Sequence, residues 1–230
     1  LAGSDGDHVV FYEKPISVAS RYLAAKQRQG PSSAGSFVRD APKVFGSNLL
    51  AGYRVATMLA DLGAKRPPRL RYLEHHLSHA AAAFLPSPFE RAAILTIDGL
   101  GEWATATIGQ GTGRSITLLD ELRYPDSLGL VYSFVTAFCG FRPNDDEYKV
   151  MGLAPYGEPR YLEQLRELAE PTGDGSVKVD GRKLGWYATK ALQRKGLADA
   201  FGGPPRDAEG PITQREADLA ASVQVVTEEI

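Results

Sequence analysis

Apolar positions along the chain fall into short runs of two kinds, strand-like runs with a period of two and stretches with helical spacing. His8-Val9-Val10-Phe11-Tyr12 reads as a strand closed by Lys14-Pro15, and Ser17 to Gln27 suits a short helix. Gln29 to Ser36, rich in Gly, Ser and Pro, reads as a mobile loop. A helical pattern covers Ser47 to Leu62, with Ser47 at the N-cap and Gly63 at the C′ stop. Pro67-Pro68 breaks the chain ahead of the strand Arg69-Leu70-Arg71-Tyr72-Leu73, and a helix begins near His75 and runs to Phe84. Its four alanines, Ala80 to Ala83, allow close packing against a sheet, and Pro86 and Pro88 end it.

Ala92-Ala93-Ile94-Leu95-Thr96-Ile97 is short, apolar and rich in β-branched residues, so it reads as a buried strand that delivers Asp98 to its C-terminal end. Glu102 to Gly109 alternates as a strand; Gly111-Thr112-Gly113 is a turn, and Ser115 to Leu119 returns as the hairpin partner. Leu128 to Phe138 is apolar nearly all round and is expected to be a buried helix. Tyr161 to Leu168 reads as a polar helix, and Val177-Lys178-Val179 and Leu184 to Tyr187 as two strands around the turn Asp180-Gly181. Gly202 to Pro211 is a loop, and residues 170–211 together read as an insertion or linker carrying a short hairpin. Thr213 and Glu216 fit a capping box opening the last helix, which runs through Asp218 to Val226 with no C-cap in sight. With Leu1 at the other end, that reads as a piece of a longer protein, truncated at both ends.

Composition narrows the class. With 230 residues, 43% hydrophobic and 23% charged, the chain can bury a core. The net charge of −2 gives no electrostatic case for nucleic acid as a partner. The single Cys139 excludes an intrachain disulfide and sits in an apolar run, as a buried, inert thiol would. No apolar run approaches a membrane span and no signal peptide is visible, so the cytoplasm is the default location.

The chemistry is concentrated in Leu73-Glu74-His75-His76-Leu77-Ser78-His79 and the strand end after it. On a helix, His75 and His79 share a face, with Cβ atoms about 5–6 Å apart. Two imidazoles and a carboxylate, Asp98, make a donor set for a metal able to hold a phosphate or a reacting oxygen. The plainer reading is a pair of surface or capping histidines. His76, three residues from His79, competes for the same face. Glu147 beside Lys149 reads either as a solvated acidic face or as a lysine placed near a phosphate, and the Gly-rich turn before Trp103 either as an ordinary turn or as backbone amides aimed at a phosphate.

Several blocks together carry a resemblance. They are Phe11-Tyr12-Glu13-Lys14-Pro15, His75 to Ala81, Phe84-Leu85-Pro86-Ser87-Pro88-Phe89, Asp98-Gly99-Leu100-Gly101-Glu102-Trp103-Ala104-Thr105, Ser127 to Tyr132, Glu147 to Gly157 and Asp218 to Gln224. In this order they resemble the O-carbamoyltransferases of nodulation-factor and antibiotic biosynthesis. The resemblance implies an α/β fold, part of an actin-like ATPase (ribonuclease H-like) domain with a mixed sheet and flanking helices. It implies that a YrdC-type domain elsewhere in the protein makes carbamoyl-adenylate from carbamoyl phosphate and ATP with Mg²⁺, and that the actin-like domain passes the carbamoyl group to a hydroxyl of a small acceptor. It further implies that His75, His79 and Asp98 are catalytic and bind iron(II) or a similar divalent metal, and that Gly99, Gly101, Glu102 and Lys149 lie at the adenylate. His76 is left as a packing or hydrogen-bonding neighbour. The family's first strand, its second actin-like subdomain with a further aspartate ligand, and the YrdC-type domain are not matched here, so this piece is not expected to turn over alone. A metallohydrolase using the same three residues would release free carboxylate or phosphate instead of a carbamoylated product, and a non-catalytic nucleotide-binding module would release neither.

Overall fold

The computed structural model describes residues 8–63, 69–173, 176–180 and 198–230. Contacts group the chain into two units, 1–96 with 101–121, and 97–100 with 122–230.

The first unit opens with β1 (His8–Phe11), followed by α1 (Pro15–Gln29), α2 (Ala34–Leu49), α3 (Ala51–Asp61) and β2 (Arg69–Tyr72). β1 and β2 pair in parallel, His8 with Arg69 through Phe11 with Tyr72, and the helices form the crossover that a parallel pair requires. The loop expected over Gln29–Ser36 shrinks to one 3₁₀ turn, Gly30–Ser33. Gly30 ends α1 at a φ of 68°, and the buried Ser33 hydroxyl donates to the carbonyls of Lys26 at 3.0 Å and Gly30 at 2.8 Å. Those bonds give the turn the partners a mobile loop would take from water. The helix expected from Ser47 is two helices broken at Leu50, so Ser47 lies inside α2 and is not an N-cap. Gly63 does close α3, at a φ of 91° with its N–H on the carbonyl of Ala60.

α4 (His75–Phe84), β3 (Arg91–Ile97), β4 (Ala104–Thr112) and β5 (Ser115–Arg123) follow, the strands lying in the order β3-β4-β5. β4 starts two residues later than its alternation suggests, because Gly101 N–H bonds the Ala104 carbonyl at 3.0 Å and makes residues 101–104 a turn. Residues 111–112 belong to the strand; the turn is 113–114, and its two-residue length makes β4 and β5 antiparallel neighbours. α4 buries His76, Ala80 and Phe84, spaced four apart, and Ala80 and Phe84 pack with Ile94, Ile116 and Leu118. Of the four alanines only Ala80 is fully buried.

The second unit contains α5 (Leu128–Phe138), α6 (Glu147–Leu153), α7 (Leu162–Arg166), β6 (Ala169–Pro171), β7 (Val177–Val179) and α8 (Gln214–Glu229). Its core joins Val131, Val135 and Phe138 of α5, Val150, Leu165, Val177, Phe201 and Leu219, Val223 and Val226 of α8. α5 begins where expected: the Ser127 hydroxyl accepts the Leu130 N–H at 3.0 Å. In α8 the reciprocal half of the expected capping box is made by Glu216, whose Oε2 accepts the Thr213 N–H at 2.9 Å. Among the described residues, β7 pairs with the strand before it. Its partner is β6, antiparallel, Ala169 opposite Val179, which also shortens the helix expected through Leu168. The strand expected at Leu184 to Tyr187 lies outside the described residues. Cys139 is fully buried, and burial, then nearby Glu216, push its thiol up to about 12, so it is inert as its apolar setting suggested. Among the described residues, no helix is long and apolar enough to cross a membrane.

Candidate metal centre

Burial decides between the three histidines. The phase that turns His76, Ala80 and Phe84 onto the sheet rotates His75 and His79 together onto an outer face, His75 half-buried and His79 exposed. His76 is 2% exposed, and its Nε2 faces the Ala104 carbonyl at 3.0 Å. A carbonyl only accepts, so Nε2 carries a proton, and Nδ1 is hydrogen-bonded to the Thr96 hydroxyl at 2.7 Å. The Thr96 hydroxyl is in turn hydrogen-bonded to that of Thr107, again at 2.7 Å. His76 is a core histidine with both nitrogens engaged.

The other two rings meet at their tips, His75 Nε2 and His79 Nε2 being 3.0 Å apart. Asp98, one peptide bond beyond β3, completes a set in which one ligand atom from each of the three residues lies within 4.8 Å of the others. Two ligands about 2.1 Å from one ion and at right angles are about 3.0 Å apart, against about 3.4 Å in a tetrahedron. Imidazole nitrogens at that spacing with one carboxylate are a donor set that could hold a first-row divalent ion.

The chain around these donors is tightly held. Asp98 Oδ1 accepts the Gly99 N–H at 2.6 Å, and the Gly99 carbonyl accepts from the buried Ser127 hydroxyl at 2.6 Å. A Cβ on Gly129, in the first turn of α5, would lie 2.6 Å from the Asp98 carbonyl oxygen and 2.7 Å from the Gly99 nitrogen, so only glycine admits this approach. Gly101, in the turn before β4, is pressed against the histidines of α4: an added Cβ would stand 3.0 Å from His76 Cδ2 and 3.2 Å from His75 Cβ. The Glu102 side chain is 7% exposed and turns inward, its Oε1 accepting the Lys14 N–H at 2.8 Å and its two oxygens sharing the His75 N–H at 3.2 and 3.1 Å.

Lys149 is ion-paired. Its Nζ lies 2.9 Å from Asp146 Oδ1, and Asp146 is buried, so the acidic stretch 145–147 is not the uniformly solvated face that composition suggests. The Lys149 hydrogen bond and then the Arg142 backbone N–H hold the Asp146 carboxyl below the usual carboxylate range. Glu147 accepts from the Ser133 hydroxyl at 2.7 Å and the Asn144 N–H at 2.7 Å.

Two residues near His75 carried no assigned role in the sequence. The Tyr12 ring stands edge-on to His75, centroids 5.7 Å apart. Glu13 senses both His75 and Glu102; desolvation, against the pull of His75, holds its carboxyl above the ordinary range, with Glu102 adding to the rise and Arg21 opposing it. Their place in the Phe11–Pro15 block, directly after a strand, was the available signal.

Over residues 1–230 the sequence matches the family model described as Carbamoyltransferase N-terminus. The chain belongs to that family. Similar sequences include an uncharacterized protein of Synechocystis sp., 42% identical over 228 residues, which are 97% of this chain and 37% of that protein. Nodulation protein NolNO of Sinorhizobium fredii is 37% identical over 170 residues, 71% of this chain and 22% of that protein. Nodulation protein NolO of Bradyrhizobium diazoefficiens is 35% identical over 163 residues, 69% of this chain and 27% of that protein. The chain thus spans well under half the length of these relatives. The mixed architecture of helices and small sheets agrees with the α/β class that the resemblance implies.

Proposed function

We propose that the full-length protein transfers a carbamoyl group from carbamoyl phosphate, by way of carbamoyl-adenylate, to a hydroxyl of a small acceptor, and that this chain supplies the metal-binding side of the transfer site. The observation that supports the reading is the convergence of His75, His79 and Asp98 within 4.8 Å in a chain that belongs to a carbamoyltransferase family. An actin-like ATPase domain, completed by residues outside this chain, and a YrdC-type partner domain belong to the same proposal.

His75 and His79 would hold iron(II) or a similar divalent ion through Nε2, with Asp98 as the anionic ligand. The ion would supply Lewis acidity toward an oxygen of the reacting groups. Asp98 is oriented by the Gly99 N–H, which leaves its carboxylate pre-set and spares the site a reorganisation step. Backbone of Gly99, Gly101 and Glu102 would border the adenylate, and Lys149, released from Asp146, would meet its phosphate. In the overall reaction the acceptor hydroxyl oxygen bonds to the carbamoyl carbon, the carbon–oxygen bond to the adenylate phosphate breaks, AMP leaves, and the hydroxyl proton passes to a base.

The test incubates the full-length protein with carbamoyl phosphate, ATP and a panel of sugars and aminoglycosides, reading AMP and carbamoylated product by mass spectrometry. The His75→Ala/His79→Ala variant is expected to lose both bound iron and product while remaining folded. Equal iron content in wild type and variant refutes the ligand assignment; phosphate or carbamate release without any carbamoylated acceptor refutes transfer.

A further inference from the structure

We infer that Glu102 is a positioning residue for the donor helix: its buried carboxylate is a shared cap for two helix N-termini and fixes the backbone from which His75 projects. This rests on the ligand assignment proposed above and adds a residue to it.

α4 starts without a cap of its own. Its N-cap, Glu74, makes no side-chain capping bond, and its first turn carries no acidic residue. The Glu74 carboxylate instead pairs with Lys14 Nζ at 2.6 Å, where both side chains are about half exposed. The His75 N–H, an orphan donor of the first turn, is met by both oxygens of Glu102. The same carboxylate takes the N–H of Lys14, the N-cap of α1. One buried anion therefore sits at two positive helix ends, where aligned peptide dipoles stabilise it in place of water.

Two further contacts tie the turn around Glu102 to His75 and His76. The Ala104 carbonyl accepts both the Gly101 N–H and His76 Nε2–H, each at 3.0 Å. Gly101 approaches His75 and His76 as closely as an absent Cβ permits. Residues 101–104 thus grip α4 at its first two residues through a carboxylate, a carbonyl and a bare Cα. Both oxygens of Glu102 already face backbone amides, so its side chain acts through His75 and not on a nucleotide. Removal of Glu102 frees the first turn of α4 to fray, and His75 Nε2 then no longer stays 3.0 Å from His79 Nε2. Groups that orient metal ligands typically change affinity about 10- to 100-fold when removed.

The test titrates Co(II) into the full-length wild type and the Glu102→Ala, Glu102→Gln and His79→Ala variants, following the visible absorption of the ion, with circular dichroism for folding. Glu102→Ala is expected to bind Co(II) at least about 10-fold more weakly while its helical signal is retained. Glu102→Gln keeps one acceptor oxygen and is expected to fall between it and wild type. Wild-type affinity in Glu102→Ala or in Glu102→Gln, with His79→Ala impaired, overturns the positioning role and leaves the ligand assignment standing. If Glu102→Ala does not fold, Glu102→Gln alone decides by the same criterion. Equal Co(II) binding by wild type and His79→Ala overturns both.

Discussion

Gly129→Ala sets two effects of opposite sign against each other. Alanine in place of glycine in a helix ordinarily stabilises by up to about 1 kcal/mol. Here the new methyl would stand 2.6 Å from the Asp98 carbonyl oxygen and 2.7 Å from the Asp98 carbonyl carbon and the Gly99 nitrogen. Ordinary contact begins near about 3.4 Å, so the peptide after Asp98 or the first turn of α5 must give by about 0.7–0.8 Å. All three neighbours are backbone, with no flexible side-chain end to swing aside, and the Gly99 carbonyl is also tied to Ser127. Overpacking of this kind costs about 1–3 kcal/mol. Taking the upper end and subtracting the helical gain leaves a net loss of about 2 kcal/mol, or roughly 30-fold in local opening. Hydrogen exchange by mass spectrometry on the full-length protein reads this directly, in peptides covering 98–101 and 128–138. Co(II) affinity is expected to fall with it, because the displaced peptide carries Asp98. Slower exchange in those peptides with unchanged affinity would show that helix propensity, not the close approach, governs this position.

Other perturbations report on separate parts of the fold. Thr96→Val keeps the shape but removes the hydroxyl between His76 and Thr107, and is expected to raise exchange in β3 and β4 by the equivalent of about 1–3 kcal/mol; unchanged protection would mean that the relay contributes nothing. The Cys139 thiol, raised by burial, is expected to resist alkylation at pH 8 in the native protein and to react once urea opens the second unit; rapid native labelling would contradict its inertness. Burial pushes the Glu216 carboxyl up, but the Thr213 hydroxyl and N–H and Arg215 outweigh it and draw it below the usual value; Asp146 is likewise depressed, by Lys149 first and then Arg142. Groups depressed on folding stabilise fully above their unfolded values, 4.5 and 3.8, and lose that contribution as pH falls through the lower folded values. Exchange in α6 and α8 should therefore quicken as pH drops below about 4 after correction for intrinsic rate, and Glu216→Gln should flatten the response in α8; a pH-independent protection in both helices would contradict it.

The parts of the fold legible in sequence are those set by neighbours in the chain. α5 announced itself by an apolar run behind Ser127, and the last helix by Thr213 and Glu216, because capping groups and helix faces are local. The histidine helix could be placed, yet its phase could not: whether His75 or His76 faced outward depended on which residues the sheet would cover. Composition misled at Gln29–Ser36, where Ser33 finds carbonyls within the chain that a loop would leave to water. It gave no sign of β6, since nothing in Ala169–Pro171 says that Val177–Val179 will pair with it. The resemblance puts Glu102 at the adenylate and says nothing of where its carboxylate points. Only the approach of Lys14 and His75, distant along the chain, shows it turned inward.

The parallel pairing of β1 with β2 also bears on the order in which this chain acquires structure. Phe11 meets Tyr72 only after everything between them has been synthesised and the crossover has closed, and Leu73 then bonds the Phe11 carbonyl just ahead of His75. Closing so long a loop precedes any gain from the strand contacts, which makes it a slow event. The carboxylate that meets the His75 N–H also comes later in synthesis than the helix it meets, 27 residues further along the chain.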